Sequence, residues 1–353
     1  MTCEMPVRVT ATVMAVVLMA STGSAAEPFS FADKTITMMI GSAPGGGTDS
    51  SGRLIARFLS NHLSGKPTLV VKNIPGAQGM TSMNYFAKQV APDGLTITMG
   101  ASIQADPLFF RGPQSQYDPT KFVFLGGVGR GGSALVINKD AEKRLYDESA
   151  TPVMMGTLGG TPHFAMQMAA WGIGFLGWNA KWVVGYRGTN ELIVALQRGE
   201  IDMTATSNLF LVQQLVATGQ FKVLTQTGQT HNGEARGRPE FGDAPLITEL
   251  MKNKLTDPIQ QQAFDYWVST TALDKWVALP PGTPESYAEA YRTAFATASS
   301  DAEFAELGKK VSEGFEPVDW KDVTALVTKV GDTSPQAIAF IGSMLRKQGL
   351  KAN

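Results

Sequence analysis

An α/β protein of two lobes is what this sequence predicts, on three observations. Short apolar runs that read as strands alternate with amphipathic segments that read as helices, which favours α/β layers with largely parallel sheets. The chain has 353 residues, 43% of them hydrophobic. Typical domains hold about 100–200 residues, so this length accommodates two domains and a substantial core. Finally, two glycine-rich loops of similar design, Ala43–Asp49 (APGGGTD) and Met155–His163 (MGTLGGTPH), each lie between an expected strand and an expected helix. Loops of this kind in separate α/β units can face each other across a cleft.

The elements follow in order. Thr35–Ile40 (TITMMI) is a strand ending at Gly41. A helix is expected from about Ser50 to Leu63, because Leu54, Ile55, Phe58, Leu59 and Leu63 share one face at helical spacing. Thr68–Val71 is a second strand, Gly76 to Lys88 a turn and helix, and Thr96–Met99 a third strand. Val123–Gly126 and Ala134–Ile137 are strands around a glycine cluster. Val153–Gly156 opens a second series: a helix from Pro162 to about Trp171, strand Trp182–Gly185, helix Glu191–Arg198, and short strands at Ile201–Thr204 and Val223–Thr225. Trp276–Leu279 reads as a strand before PPGTP, where Pro284 suits the first turn of a helix through Ala298. Val323 to Gln348 reads as helical. There is no visible repeat, low-complexity segment or heptad pattern.

The N-terminus reads as an export signal. Val9–Ala20 is apolar and follows Arg8 directly, but it is shorter than the roughly 20 residues a bilayer span needs. Ser24 and Ala26 occupy the −3 and −1 positions of a signal-peptidase site, so cleavage is expected after Ala26, leaving residues 1–26 as the signal peptide. A buried N-terminal helix is the competing reading. Glu4 offsets Arg8, and initiation at Met5 would remove that acid. The single cysteine, Cys3, precedes the apolar run, which excludes lipid anchoring there, and cleavage would leave a chain without a thiol. With no later run of about 18 apolar residues, the mature chain is expected to be soluble and exported, into the periplasm if the source is Gram-negative.

Composition removes several function classes. A formal net charge of −1 rules out a polybasic nucleic-acid binder. One cysteine excludes an internal disulfide and any cysteine-rich zinc site. His62, His163 and His231 lie far apart without metal-binding spacing. No metal and no cofactor is expected.

The loop Ala43–Asp49 carries the most information. Consecutive glycines let the backbone approach a ligand and adopt positive φ. Thr48 or Asp49 can cap the helix that follows, whose free N–H groups and positive dipole end make a small anion site. No Gly-Lys-Ser/Thr follows, so it is not a P-loop, and Ser50 stands where a dinucleotide fingerprint needs its third glycine. A tight turn with a cap is the plain alternative. The second loop repeats the design with Pro162 at a helix start. Between them, Gly127–Gly132 formally fits G-x-G-x-x-G, but the following SALVINKD has strand character, so the required context fails. A flexible crossing between lobes fits those glycines better. Catalytic readings are thin: there is no G-x-S-x-G elbow and no thiol nucleophile, and nothing pairs Ser102 or Ser207 with a base.

The chain resembles the periplasmic solute receptors of tripartite tricarboxylate transporters, the Bug family, from about Thr35 to Met344. The segments that carry this are APGGGTD (43–49) with Arg53 and Ala56 after it, NIPGAQG (73–79), APDGLTITMG (91–100), YDPTKFVFLG (117–126), GGTPH (159–163), GYRG (185–188), ALQRGEIDM (195–203) and LPPGTP (279–284). The resemblance implies a type II periplasmic-binding-protein fold, two α/β lobes with a ligand cleft between them. Domain 1 would comprise 27–128 plus 228–353, and domain 2 would comprise 129–227. It also implies a monomeric receptor that holds a small carboxylate through backbone N–H groups, hydroxyls and water and hands it to membrane permease subunits.

Carried over by resemblance, the first wall would be Gly45, Gly46, Gly47, Thr48 and Asp49, with Ser102 and Gln104 on the same side. The second would be Gly160, Thr161, His163, Arg187, Gly188 and Thr189, with Asp202 either at the site or capping a strand end. Arg187 stands where family members more often have lysine, and could bind a distal carboxylate or form a surface ion pair. Three departures blur the ligand class: Pro162 replaces a serine, Asp106-Pro107 replaces Asn-Pro, and Thr206 and Ser207 replace a usual acidic position. Trp171, Trp178 and Trp182 could form an aromatic wall or pack in the core. The cargo could be a di-, tri- or aromatic carboxylate. Two other functions compete: a receptor feeding a signalling system, and an exported hydrolase using His163.

Overall fold

A computed structural model describes residues 1–2, 30–158, 162, 164–186, 188–231, 234–312 and 314–351. The apolar runs do become strands. In chain order these are β1 (Thr35–Ile40), β2 (Thr68–Asn73), β3 (Thr96–Ala101), β4 (Val123–Gly129), β5 (Ala134–Asn138), β6 (Val153–Leu158), β7 (Ala180–Tyr186), β8 (Met203–Thr206), β9 (Phe221–Gln226), β10 (Gln229–His231), β11 (Glu234–Arg236), β12 (Leu273–Leu279) and β13 (Glu316–Val318). One sheet has the order β13-β4-β12-β3-β1-β2, another the order β7-β6-β8-β5-β9, and β10 and β11 form a small hairpin. Both large sheets are mixed. β1 runs parallel to β2 and β3, and β6 parallel to β7 and β8, while β4, β5, β9, β12 and β13 join through antiparallel pairings.

The first sheet is covered on both faces, and the period-two alternation of its strands assigns each side chain to a face. Ile36, Met38, Ile40, Ile97, Met99, Val277 and Leu279 enter one core with the helices Gly47–His62 and Glu285–Ser299. Met39, Phe124, Trp276 and Ala278 enter the other, against the helices Met80–Gln89 and Trp320–Gly331. A third core surrounds the second sheet. It recruits Phe264 and Trp267 from the helix Pro258–Ala272, and Ala337, Ile341 and Met344 from the helix Pro335–Lys347. These two helices follow residue 228 in sequence yet pack with the second sheet. Trp171 is fully buried here, 5.0 Å from Phe264 and 6.0 Å from Trp267 between ring centres. Trp178 is buried beside it, and Trp182 Nε1 donates to Gln348 Oε1 at 3.1 Å. All three tryptophans belong to the core or its margin.

Local departures have local causes. The expected 162–171 helix runs instead over Gln167–Phe175, after a short 3-10 turn at Phe164–Met166. The closing helical stretch is two helices, broken where Ser334 caps the second one through Ala337 N–H and Pro335 opens it. The helix Pro258–Ala272 was not anticipated, although Asp257-Pro258 is an N-cap followed by a proline at N1.

The chain crosses between the sheets at Gly129–Ala134. Gly131 (φ +72°) and Gly132 (φ +76°) need left-handed backbone there, and their faces lie against Gly314 and Gly228 with no room for a Cβ. Ser133 N–H donates to Thr227 Oγ1 at 2.9 Å, Thr227 N–H returns to Ser133 O at 3.0 Å, and Arg238 Nη1 donates to Gly131 O. The glycine cluster therefore serves close packing and positive φ, where the sequence reading expected flexibility.

Candidate functional site

Strand direction decides which loops meet. β1, β2 and β3 end at Ile40, Asn73 and Ala101, and β4 ends at Gly129, beside Leu273 at the start of β12. That edge of the first sheet feeds the crossing. Across it, β5 begins at Ala134 opposite Thr206, the last residue of β8. β6 and β7 run parallel to β8, so the segments after Leu158, Tyr186 and Thr206 leave from the same edge. The carboxyl ends of the parallel strands in both sheets thus lie at the edges that the crossing joins, and carboxyl ends of strands are where open α/β sheets bind ligands.

The first wall is built around Asp49. The helix begins at Gly47 with Gly46 as N-cap and no side-chain cap, so neither Thr48 nor Asp49 caps it. Instead Asp49, buried in the first turn, accepts from Gly45 N–H at 2.9 Å, Arg53 Nε at 2.9 Å and Asn73 Nδ2 at 2.8 Å. The Arg53 hydrogen bond, with those from Gly45 and Asn73, outweighs burial and holds the carboxyl at about 2. Asn73 Nδ2 also donates to Ser42 O at 2.9 Å. The carboxylate is thus committed to bracing the loop, and Arg53 answers its charge. The turn 43–47 is exposed, and Thr48 half-buried behind it. Of the three glycines only Gly45, at φ +85°, needs to be glycine for conformation. Gly46 has extended backbone (φ −79°, ψ 167°), with only Ala43 O, 3.7 Å away, near where its Cβ would lie. Nothing lies within 4 Å of a Cβ at Gly47.

Gln104 supports this wall from beneath. Its Oε1 accepts from Ala101 N–H and its Nε2 donates to Gln78 O, both at 2.5 Å. Residues 76–79 all carry positive φ, including Ala77 at 44° and Gln78 at 55°, a strained turn of the kind that clusters at ligand sites. Tyr117 Oη donates to Gln104 O at 2.8 Å. Ser102 is half-buried and its Oγ accepts from Arg130 Nη2 at 3.0 Å. Asp106 turns elsewhere: it caps Leu108 N–H and accepts from Tyr266 Oη at 3.0 Å, and burial pushes its carboxyl upward.

On the second wall Gly160, Thr161, His163 and Arg187 lie outside the described residues. Gly188 is the N-cap of the helix Thr189–Gln197, with nothing within 4 Å of a Cβ there, and Thr189 is its first residue. Asp202 is not brought to this wall. Its carboxylate accepts from Arg144 Nη2 at 2.7 Å and Met154 N–H at 2.9 Å, beside the start of β6. The loop of interest leaves the far end of β6, about four residues or roughly 13 Å away. Asp202 joins a strand entry to an arginine, as a residue capping a strand end does.

Arg130, absent from the sequence-derived set, stands between the walls. Besides Ser102, its Nη2 lies 3.3 Å from Asp274 Oδ1, and its guanidinium carbon sits 4.3 Å over the Phe164 ring. A cavity of 230 Å³ opens beside it, lined by Arg130, Ser207, Asn208, Asp274, Ser312 and Gly314. The sequence signal was available only as a charged residue inside the glycine cluster. Among the described residues no group of His, Cys, Asp and Glu could hold a metal, and no helix is long and apolar enough to cross a membrane.

No family model matches the chain. A UPF0065 protein of Bordetella pertussis is 23% identical over 307 residues, covering 83% of this chain and 85% of that protein. The crystal structure of a TctC solute binding protein from Polaromonas, without ligand, superposes with a TM-score of 0.64 at 18% identity, covering 89% of this chain and 98% of that one. A Rhodopseudomonas palustris protein with adipate gives 0.51 at 21% identity, covering 90% and 98%. The fold is that of the TctC solute-binding proteins, with two lobes. The resemblance read from the sequence is met by both kinds of relative.

Proposed function

We propose that this chain, with its TctC-type fold and UPF0065 relative, is a periplasmic solute receptor. It captures a small carboxylate between its lobes and delivers it to the membrane subunits of a tripartite transporter. The observation that carries the reading is the exposed turn before the Gly47–His62 helix. Gly46 and Gly47 are required neither by backbone conformation nor by neighbours. A bare turn would tolerate side chains there, whereas a surface on which a carboxylate rests against N–H groups would not. The helix N-terminus supplies those donors, and Arg53 removes the objection that Asp49 would repel an anion. Adipate, present in the R. palustris structure, is a carboxylate of this kind.

The site would comprise Gly46, Gly47 and Thr48, with Ser102, on one side, and Gly160, Thr161, His163, Arg187, Gly188 and Thr189 on the other. Gly45, Asp49 and Gln104 would hold the first wall in shape. The lobes would divide as 27–128 plus 228–353 and 129–227, with the helices Pro258–Ala272 and Pro335–Lys347 lent to the second lobe. A binding role suits Ser102 better than a nucleophilic one, because its partner is an arginine, which cannot accept a proton. Export of the chain would follow from the signal sequence at 1–26.

Thermal shift and calorimetry against mono-, di-, tri- and aromatic carboxylates test the reading. At least one should bind, and Gly46→Val should weaken it by about 100-fold or more, equivalent to about 2.7 kcal/mol. The empty protein should lose only about 1 kcal/mol, the cost of a poorer N-cap, since valine accepts that extended backbone. Full retention of affinity would reduce the loop to a turn.

A further inference from the structure

We propose that Arg130 is a specificity-determining residue of the cleft: its guanidinium, set between Ser102 of one wall and Phe164 of the other, holds the ionised group of the cargo and makes the site choose an acid over its amide. This rests on the carboxylate-receptor reading and assigns the selectivity to a residue of the crossing.

The placement is firm. Arg130 directly follows β4, its N–H donates to Ala272 O at 3.3 Å, and Gly131 after it is pinned by Arg238. The side chain is one quarter exposed (24%) with one face on Phe164. Phe164 itself holds φ +48°, secured by the Trp267 Nε1 bond to its carbonyl at 2.9 Å. Arg130 therefore touches both walls from a fixed base.

The guanidinium is under-used. It carries five N–H donors and no acceptor. Nη2 is engaged by Ser102 and Asp274, while Nε is buried without a hydrogen-bond partner among the described residues. A buried donor left unmade is costly, and a small turn of the guanidinium toward an acid in the cleft would let it be satisfied. Charge points the same way. Asp274 is shared with Lys275, whose Nζ lies 2.7 Å from Oδ2, so its one carboxylate stands between two cations. The 230 Å³ cavity beside Arg130, lined by neutral Ser207, Asn208 and Ser312 as well as Asp274, gives the cargo room.

Ser102 sharpens the choice. Because arginine can only donate, Ser102 Oγ accepts from it, leaving the hydroxyl proton to be donated onward. Arg130 and Ser102 then present donors side by side. Both oxygens of a carboxylate can accept them, whereas an amide would turn its NH₂ group onto donors.

The experiment measures affinities of adipate, malate, citrate and benzoate, each beside its amide, for the wild type, Arg130→Met, Ser102→Ala and the double variant. Wild type should prefer the acid. Arg130→Met should weaken acid binding by about 30–100-fold and amide binding by less than about threefold, as expected when charge-assisted donors are lost. Ser102→Ala should cost about tenfold in the wild type and under about twofold on the Arg130→Met background, the signature of coupled residues. Equal losses for acid and amide, or fully additive effects, would overturn the assignment. If Arg130→Met does not fold, Arg130→Gln, which keeps a donor toward Ser102, replaces it and is read by the same ratio. Wild-type binding of the acids with unchanged selectivity in the variants sinks Arg130 alone. Failure of the wild type to bind any of the four acids sinks the receptor reading with it.

Discussion

At the residue scale, Asp49 shows how a side chain at a binding loop can serve the loop and not the ligand. Three donors converge on its carboxylate, and its pKa of about 2 lies below the value of about 3.9 in an unfolded chain. A depressed carboxylate stabilises the folded state fully above the unfolded value, and that contribution is lost as pH falls from about 4 toward 2. Asp49→Asn should lower stability by about 1–3 kcal/mol at neutral pH. In urea melts from pH 6 to pH 2, the gap between variant and wild type should narrow through that acid window. A gap constant with pH would show that the Arg53 and Asn73 contacts do not depend on the charge. Asp106 illustrates the opposite environment. Burial raises it, and Tyr266 and Leu108 N–H turn it away from the first wall, so its proximity in sequence to Ser102 does not place an acid in the cleft.

At the element scale, caps and breaks rather than propensity set the helix ends. Asp257 accepts from Ile259 N–H at 2.8 Å and Gln260 N–H at 3.1 Å, and Pro258 opens the helix whose Trp267 anchors Phe164 beside the cleft. Asp257→Ala should cost about 1 kcal/mol in chemical unfolding, with little change in ligand affinity, because the cap lies at the far end of the helix from Trp267. A large loss of affinity would mean that the helix end is coupled to the site. The brace from Gln104 to Gln78 is another element-level device. It ties the strained turn after β2 to the loop after β3, so two loops that border the site are held to each other.

At the scale of the whole molecule, two sheets with separate cores meet at crossings where Gly131, Gly132, Gly228 and Gly314 pack backbone to backbone. A bound carboxylate at 100 times its Kd should stabilise the folded state by about 2.7 kcal/mol, and X-ray scattering should report a smaller radius of gyration with ligand than without. Stabilisation with no compaction would mean that the cleft is already closed when empty.

By itself the sequence determined the alternation of strands and helices and the glycine loop 43–49, because these are written in local periodicity and in residues with special backbone freedom. It located both glycine loops at strand ends, and the parallel register carried those ends to a common edge. Only the tertiary structure decided what the polar side chains do. Asp49, in the loop expected to hold the ligand, braces that loop, since its partner Asn73 arrives on a different strand. Asp202 matched a motif yet stands at the other end of its strand, facing Arg144. Arg130 was hidden in a run of glycines and became the group between the walls, because its partners Ser102, Phe164 and Asp274 are brought together by the crossing of two sheets. Periodicity fixes which face a residue occupies, while charge pairing across the fold depends on which strands end together, and no local pattern encodes that.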